Sequence, residues 1–408
     1  MRILACDAGS SSYKASLYQI NTPVQLTPPV PLWSGEASWE DIPGRATILE
    51  RRSARQLSPL SVDVENRKAA IHALFARSFG SGAGGSSLGA IDAAAHRVVH
   101  GGRLARHSVV VTDDVKSAIE EASPLAPEHN PMALAGIEVV EGSFGQKPQV
   151  AIFDSEFHAT LPEEAYTYAV PLAWRDDGGM RRLGFHGISH RYVSERCAQL
   201  LGKDLAQLKI VSCHLGNGCS LAAIDAGRSI DTTMGWTPME GLVMGERSGD
   251  IDPGLVLQLI ESGKFTAAQL RRTLNEECGL KGISGTSGDM RDILAGREKS
   301  QPHAKLAFDV YVHRLRRAIG SMIASLDGLD ALVFTGGIGE NTPALREAAC
   351  SQLACFGLNI DRNRNKTLAP DARISVEGEG VAIFVIKSEE RWELVRECFQ
   401  VLGRDAYT

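Results

Sequence analysis

Two strand–turn–strand units, each built around a short glycine-containing turn, limit most strongly what this chain can fold into. In the first, residues 7–12 are small and polar and separate two apolar or alternating runs within residues 2–20. The second lies about 200 residues later, where residues 214–218 (HLGNG) separate the runs 207–213 and 219–225. Two such units so far apart predict a duplicated α/β architecture with a cleft between its halves.

The length of the chain supports two domains. It has 408 residues, 43% of them apolar and 23% charged, and a single core usually stops growing below that size. We expect one domain of residues 1–154 completed by 388–408, and a second of residues 155–387. No short-period repeat is present, so a solenoid or a propeller is not expected.

Composition and charge exclude several classes of protein. The net charge of −6 and the pI of about 6.0 argue against binding to nucleic acid, which needs a concentrated basic face. No segment approaches the length of apolar chain that spans a bilayer, and the apolar run 1–6 is too short for a signal peptide. We therefore expect a cytoplasmic protein with no membrane partner.

The eight cysteines form no C-x-x-C pair and do not cluster with histidines at zinc-ligand spacing. They are expected to be reduced and mostly buried.

Further segments have recognisable patterns. The Pro-rich stretch 22–34 and the Gly/Ser-rich stretch 79–89 are typical of surface loops, and residues 63–77 between them of a helix. Apolar strands are predicted at 150–153, 332–334 and 381–386. Helices are expected from about residue 342 and over 389–402.

The glycine-containing turns are candidate phosphate-binding sites. Backbone N–H groups of the first turn can form an anion-binding nest, and Ser10, Ser12 and Lys14 add donors. It does not match the P-loop pattern. An ordinary hairpin turn explains this segment, and the Asn217–Gly218 turn, equally well. A third glycine-rich turn at residues 336–341 follows an apolar strand, and the three together favour phosphate binding.

Several charged residues lie next to these segments. Arg97 and Arg247, each close to glycines, could bind a carboxylate or phosphate, or could form structural ion pairs. His186 lies between glycines and is spaced i,i+4 from His190, but the H-E-x-x-H pattern of a zinc protease does not occur. Asp154 follows an apolar strand, where it could belong to a site or cap a helix.

These segments together resemble the acetokinase family, which includes acetate, propionate and butyrate kinases. The resemblance covers nearly the whole chain in the family's order: DAGSSSYK, HRVVHGG, FDSEFH, GFHGISHRYV, HLGNG, DTTMGWTPMEGLVMGERSGDIDP, GISGTSGDMRD and TGGIGEN. It implies two ribonuclease-H-like domains of the actin, sugar-kinase and heat-shock-chaperone superfamily, with a nucleotide cleft between them and residues 155–387 as the nucleotide-binding domain.

The resemblance also implies roles for individual residues. Asp154, His186 and Arg247 would be catalytic, and Arg97 would bind the substrate carboxylate. Val99, Phe185 and Pro238 would line the acyl pocket. The expected ATP-binding residues are Ser10, Ser12, Lys14, His214, Leu215, Gly216, Asn217, Gly218, Asp289, Met290, Arg291, Gly337, Ile338, Gly339, Glu340 and Asn341.

By the same resemblance, Asp7 and Glu389 would place Mg²⁺, with Mn²⁺ as an alternative, and ATP would be a substrate. The implied reaction transfers a phosphoryl group from ATP to acetate and gives acetyl phosphate and ADP. It asks mainly for positioning and for cations around the phosphoryl oxygens, which these residues could supply. Acetate is already ionised at pH 7, so Asp154 is expected to orient the acceptor or to belong to the metal shell rather than to act as an obligatory base.

Three residues depart from the family pattern. Asp7 stands where the family usually has asparagine, and Glu128 where it has a leucine of the acyl pocket. A glutamate facing acetate would repel it, so Glu128 is expected to turn to solvent or to an arginine, unless the pocket differs. Glu246 stands beside Arg247, where the family usually has threonine, and it could be another such pairing feature.

Alternative functions share most of these residues. A propionate or butyrate kinase would differ only in the acyl pocket. A pyrophosphate-dependent relative fits less well, because the segments GISGTSGDMRD and TGGIGEN are intact. A non-catalytic nucleotide-gated protein of the same fold would not need Arg97, His186 and Arg247. The resemblance further implies a homodimer.

Overall fold

A computed structural model of the protein describes residues 1–9, 12–21, 24–39, 44–52, 55–80, 88, 90–102, 107–176, 179–378 and 380–405. The chain divides into two compact units. Unit 1 comprises Met1–Glu156 and Glu389–Thr408, and unit 2 comprises Phe157–Ser388. The assignment of nucleotide binding to residues 155–387 stays a prediction.

Unit 1 is built on one mixed sheet. Its strands are β1 (Arg2–Ala8), β2 (Ser12–Gln19), β3 (Trp33–Ser38), β4 (Arg45–Arg52), β5 (Arg55–Gln56), β6 (Leu60–Asp63), β7 (Ala93–Val98), β8 (Val109–Val110) and β9 (Gln149–Phe153). The order is β5-β4-β3-β2-β1-β7-β9-β8, with β6 also on β4. Strands β1 to β3 form an antiparallel meander, and β7 and β9 continue the sheet parallel to β1.

Helices cover this sheet and bury an aromatic core. They are α1 (Arg67–Phe79), α2 (Asp113–Glu121), α3 (Asn130–Phe144) and the C-terminal helix (Glu390–Asp405), with a 3₁₀ turn at Ser123–Leu125. Asn66 starts α1 by accepting a hydrogen bond from the Ala69 amide. Phe75 on α1 packs at ring-centroid distances of 6.0 Å from Tyr13 and 6.5 Å from Trp33. These contacts hold α1 against β2 and β3.

The sheet of unit 2 repeats that of unit 1. Its strands are β10 (Lys209–Leu215), β11 (Cys219–Asp225), β12 (Arg228–Thr232), β13 (Ala331–Thr335), β14 (Ala372–Arg373) and β15 (Ala382–Val385), in the order β12-β11-β10-β13-β15-β14. Again three strands form an antiparallel meander, and two more run parallel to its first strand. The shared order and directions confirm the predicted duplicated α/β architecture.

The helices of unit 2 are α4 (Glu163–Tyr166), α5 (Leu172–Asp176), α6 (Gly187–Leu201), α7 (Pro253–Glu261), α8 (Ala267–Glu276), α9 (Gly279–Ser284), α10 (Met290–Glu298), α11 (Pro302–Leu326), α12 (Gly336–Asn341), α13 (Pro343–Cys350) and α14 (Arg362–Thr367). Short 3₁₀ turns lie at Glu156–Thr160, Leu205–Gln207 and Ala354–Phe356. Within the described part of the chain, no helix combines the length and apolar character needed to cross a bilayer.

The structure corrects several predicted elements. The helix predicted over 63–77 begins only at Arg67, because Leu60–Asp63 forms β6 against β4. The predicted loop 22–34 ends in strand β3, and residues 22 and 23 lie outside the described residues. Of the predicted loop 79–89, Phe79 ends α1, and 81–87 and 89 lie outside the described residues. The turn predicted at 336–341 is helix α12.

Candidate active site

Three charged residues meet at one end of the unit 1 sheet. Asp7 is near the end of β1, Arg97 is its neighbour across the β1–β7 pair, and Asp154 follows β9 directly. The guanidinium of Arg97 lies between the two carboxylates, with Nη1 3.1 Å from Oδ1 of Asp7 and Nη2 2.9 Å from Oδ2 of Asp154. The carboxyl ends of neighbouring parallel strands therefore bring together residues that are far apart in sequence.

The electrostatics of this cluster keep Asp7 ionised. Burial alone would raise the pKa of Asp7, but the charge and hydrogen bond of Arg97, assisted by Arg391 and Lys14, hold it below its ordinary value. One guanidinium is shared by two carboxylates, so the ion-pair role that the sequence left open for Arg97 is present. A substrate carboxylate would have to bind the N–H groups of Arg97 that these two carboxylates leave unused.

The first glycine turn is described only in part. The amide of Gly9 donates to the Ser12 carbonyl at 2.9 Å, and the Ser12 side chain is buried. Lys14 is 44% exposed and lies 3.8 Å from Glu36, a distance that leaves its amine available to a ligand. Ser10 lies outside the described residues.

In unit 2, two histidines and an arginine surround the second glycine turn. His186 has a left-handed backbone (φ 57°) at the start of α6, and its ring stacks on that of His214 at 4.3 Å between centroids. A β-carbon on Gly218 would lie only 3.2 Å from Nε2 of His186 and 3.6 Å from Nη1 of Arg247. Glycine therefore keeps open the space onto which both side chains face.

The loop that carries Arg247 is locked onto this turn. The Gly245 amide donates to the Asn217 carbonyl at 3.0 Å, and a β-carbon on Gly245 would lie 2.1 Å from Oδ1 of Asn217. Nη1 of Arg247 donates to the Pro238 carbonyl at 3.2 Å. These backbone contacts fix the guanidinium relative to Gly218.

Two further predicted ATP-binding segments pack beside the turn. Asp289 caps α10 and accepts two hydrogen bonds from Nε of Arg291, at 3.1 and 3.0 Å, and these hold the pKa of Asp289 below its ordinary value. Met290 between them is buried. A β-carbon on Gly288 would lie 2.6 Å from the Gly245 carbonyl oxygen, so this segment touches the Arg247 loop.

The other segment is helix α12, which contains Gly337, Ile338 and Gly339. Gly336 has φ 77°, and a β-carbon there would lie 2.8 Å from the carbonyl oxygen of Leu215 at the end of β10. Asn341 closes the helix through its Nδ2, 2.8 Å from the Gly337 carbonyl, and Oε1 of Glu340 accepts from the Ser388 amide at 2.8 Å. The segments at 214–218, 288–291 and 336–341 thus all lie near the end of β10.

The predicted acyl-pocket residues Val99 and Phe185 are both buried, and Pro238 is partly buried. Glu128, which stands at a usual pocket position, lies 3.5 Å from Nη1 of Arg67, and its side chain is 43% exposed. This agrees with the expectation that it turns to solvent or to an arginine. Glu246, the other residue expected to form an ion pair, has a lysine as its partner, because its Oε1 lies 2.8 Å from Nζ of Lys281.

The metal candidates offer few ligands. Asp7 is an ionised carboxylate, and Glu389 precedes the C-terminal helix, where its carbonyl accepts from the Glu393 amide. No group of three or more potential metal-binding side chains occurs among the residues described. One or two carboxylates suit Mg²⁺, which keeps several waters and binds phosphates as well. The residues present are therefore compatible with a magnesium site that ATP completes.

Serines were missed by the sequence analysis. Ser220, Ser212 and Ser189 contact the site histidines through their hydroxyls, at 2.8 to 2.9 Å. Serine within a strand or helix carries no recognisable motif. The i,i+4 spacing of His186 and His190 was the one available signal, because it indicates that both rings lie near the N-terminus of α6.

The comparisons with known proteins agree over the whole chain. Residues 2–396 match the acetokinase family. The acetate kinase of Trichormus variabilis is 47% identical over 406 residues, which are 99% of this chain and 100% of the relative. This degree of identity over full length places both units in one family.

Solved structures give the same result for the fold. An acetate kinase from Porphyromonas gingivalis aligns with a TM-score of 0.87 at 34% identity, covering 98% of this chain and 99% of that one. A propionate kinase from Francisella tularensis aligns with a TM-score of 0.86 at 34% identity, covering 97% and 98%. The repeated sheets are those of the actin and sugar-kinase superfamily, and the chain belongs to the acetokinase family.

Proposed function

We propose that this protein transfers a phosphoryl group reversibly between ATP and acetate, giving ADP and acetyl phosphate. The observation that carries the proposal is the convergence of His186 and Arg247 on the space above Gly218. Phosphoryl transfer depends on fixed donors and cations around the equatorial oxygens, and these two groups supply both. The name of the Trichormus variabilis relative supports acetate as the acceptor.

Each cluster has a distinct part in the proposed reaction. Arg247 would hold the charge of the transferring group, and His186 would donate to one of its oxygens. Arg97 would bind the acceptor carboxylate, while Asp154 keeps that guanidinium in place through the 2.9 Å contact. Asp7 and Glu389 would hold Mg²⁺, which neutralises phosphate charge when it is bound. Acetate needs no general base, since it is ionised at neutral pH.

A hydroxamate assay with acetate, ATP and Mg²⁺ tests the proposal. Wild-type protein should form acetyl phosphate, and His186→Ala should lose most of that activity. Ser351→Ala removes an exposed hydroxyl whose one hydrogen-bond partner in the described part of the chain is the Ala348 carbonyl of α13, and it should leave the activity unchanged. The proposal is wrong if the wild type forms no more acetyl phosphate than the His186→Ala variant.

A propionate or butyrate kinase is the second candidate. The propionate kinase of Francisella tularensis and the acetate kinase of Porphyromonas gingivalis are equally identical to this chain, so structural similarity does not separate the two substrates. The ratio of kcat/KM for acetate, propionate and butyrate decides between them. Acetate is expected to give the highest value.

The magnesium proposal has its own test. Asp7→Asn removes the carboxylate charge but keeps the shape of the side chain. If Asp7 contributes to magnesium binding, the Mg²⁺ concentration that gives half-maximal activity should rise several-fold. Such a rise corresponds to a loss of roughly 1 kcal/mol of binding free energy. An unchanged Mg²⁺ profile would remove Asp7 from the proposed metal ligands.

We also propose a homodimer formed through helix α7. None of its nine residues is buried, even though several are apolar. Leu255, Leu257 and Ile260 are 49%, 58% and 38% exposed. A helix this short is marginal in water without a packed face. Exposed apolar side chains in one helix are typical of a subunit interface, and the family resemblance makes a second copy of the chain the expected partner.

A further inference from the structure

Ser220 lies between two histidines of unit 2. It is fully buried on β11, and its Oγ is 2.9 Å from Nδ1 of His186 and 2.8 Å from Nε2 of His190. Nδ1 of His190 is in turn 2.9 Å from Oγ of Ser212 on β10. These four side chains form a continuous chain of hydrogen bonds that ends at the proposed catalytic imidazole.

The direction of this chain is set at Ser212. The residue is fully buried, and among the described residues His190 Nδ1 is the sole hydrogen-bond partner of its Oγ. The hydroxyl proton must therefore point to Nδ1. The opposite direction would bury an O–H donor without an acceptor, which costs free energy and is rare in folded proteins.

The remaining protons follow from the charge of His190. Burial, followed by the nearby His158 and His214, holds the pKa of His190 well below its ordinary value, so the ring is neutral with one N–H. Since Nδ1 accepts from Ser212, that N–H is at Nε2 and donates to Ser220. The Ser220 proton then has one acceptor left in the chain, Nδ1 of His186.

The same arrangement recurs at two neighbouring histidines. Nε2 of His158 lies 3.0 Å from the Phe185 carbonyl and must be the protonated nitrogen, so the Ser229 hydroxyl, 2.7 Å from Nδ1, donates. Nδ1 of His214 lies 2.8 Å from the hydroxyl of Ser189, which is fully buried. In each case a serine hydroxyl faces Nδ1, and at His158 Nε2 is the donor.

We propose that Ser220 is a positioning residue, whose hydroxyl donates to Nδ1 of His186 and fixes the neutral tautomer with its proton on Nε2. Nε2 faces the space above Gly218, beside Nη1 of Arg247. A fixed N–H donor next to a guanidinium suits the oxygens of a transferring phosphoryl group. This last step rests on the proposed function, whereas the tautomer does not.

The tautomer can be measured directly in the wild-type protein. With ¹⁵N-labelled histidine, long-range ¹H–¹⁵N correlation spectra distinguish protonated from unprotonated ring nitrogens, and the His186→Gln variant identifies the His186 signals by their loss. At pH 7.5 we expect an unprotonated Nδ1 and a protonated Nε2. The Nδ1–H tautomer, or a doubly protonated ring, would overturn the proposal. No activity is needed for this measurement.

Kinetics of three serine variants test the positioning role. Ser220→Ala should lower kcat about tenfold or more while the KM values for ATP and acetate change less than about twofold, and Ser220→Thr should recover part of the loss. Ser194→Ala is the matched control, because among the residues that the structure describes this buried serine of α6 donates only to the Arg191 carbonyl, at 2.8 Å. It should keep wild-type kcat.

The outcomes separate the two proposals. A Ser220→Ala enzyme with wild-type kcat contradicts the positioning role. A wild type that carries the expected tautomer but phosphorylates no acetate contradicts the proposed function alone. Should neither Ser220 variant fold, the wild-type ring spectrum decides.

Discussion

His96 is a buried imidazole inside the unit 1 sheet, and it should make the protein sensitive to acid. Its Nε2 lies 2.6 Å from Oε1 of Gln149 on the neighbouring strand, and burial, opposed only in part by this bond, lowers its pKa to about 4. The unfolded chain therefore binds a proton at higher pH than the folded one. Stability from this group is fully present above about pH 6.5 and is lost as the pH falls towards 4.

The His96→Asn variant tests this acid sensitivity. Between pH 7 and pH 5, the wild type should lose about 2 kcal/mol of unfolding free energy from His96, on the order expected for such a shift. Over the same pH range, the unfolding free energy of His96→Asn should fall by about 2 kcal/mol less than that of the wild type, whatever the stability of the variant at pH 7. Urea denaturation at the two pH values measures the difference. His72→Asn, at an exposed position on α1, is the control, and an equal slope in wild type and His96→Asn would contradict the prediction.

Glu128 should have little influence on acyl preference, because it pairs with Arg67. Glu128→Leu is expected to change the kcat/KM ratio of acetate to propionate less than about twofold. The lost ion pair, with both side chains more than 40% exposed, contributes at most about 1 kcal/mol to stability. If the side chain faced the pocket, adding leucine there would shift the ratio about tenfold or more.

Val99→Ala is the matched comparison for Glu128→Leu. Val99 is 4% exposed and is a predicted pocket residue. Its truncation should raise the kcat/KM of propionate relative to acetate about tenfold, because one enlarged apolar site accepts one more methylene. A large change with Glu128→Leu and none with Val99→Ala would reverse the assignment of the two residues.

At the scale of single residues, the sequence predicted which side chains lie at strand ends better than it predicted which side chains they contact. The charged residues that end strands, such as Arg97 and Asp154, could be found because strand ends are recognisable. Their contact across strands β7 and β9 depends on sheet order, which no local pattern contains. Ser220 was missed for the same reason, since its role appears only when β11 brings it against α6.

Among the elements, two exposed glycines in helical segments should respond oppositely to the same substitution. Gly142 lies inside α3 with ordinary helical geometry, whereas Gly202 ends α6 in the left-handed conformation at φ 63°. A β-carbon at either position meets no atom within 4 Å. Only the backbone term differs between the two sites, so they form a matched pair.

Gly142→Ala should stabilise the protein by about 0.5–1 kcal/mol, because alanine loses less conformational freedom in a helix. Gly202→Ala should destabilise it by about 1–2 kcal/mol, because an L residue is strained in the left-handed region. Thermal or urea unfolding of both variants measures the two changes. Shifts of the same sign would mean that the α6 terminus rearranges.

Elements were predicted where the local pattern matched the final structure. The strand at β13 and the helix at α13 were recognised from an apolar run and from Pro343. Helix α12 was not, because its glycine-rich sequence has low helix propensity. Its geometry instead comes from packing against Leu215 and from buried Arg346, whose Nη1 donates to the Gly339 and Glu340 carbonyls at 2.7 and 2.9 Å.

For the whole molecule, the duplicated architecture explains why so much could be predicted. The sheet of each unit starts with a strand–glycine-turn–strand hairpin, and in both the strand after a long insertion pairs in parallel with the first. The hairpins could be found from the sequence. The outer strands β4 to β6 could not, because they occur in unit 1 alone within the described chain and have polar, weakly alternating sequences.

Helix α7, with its exposed apolar side chains, makes the assembly itself testable. Burial of Leu257 and its neighbours against a second copy should contribute about 1.5–3 kcal/mol for each large side chain. Leu257→Glu should place a charge in that interface and convert a dimer into a monomer, as measured by size-exclusion chromatography with light scattering. Leu368→Glu, at a 46% exposed position outside α7, is the control and should remain dimeric. A Leu257→Glu protein that stays dimeric would place the interface elsewhere, and a monomeric wild type would contradict the homodimer.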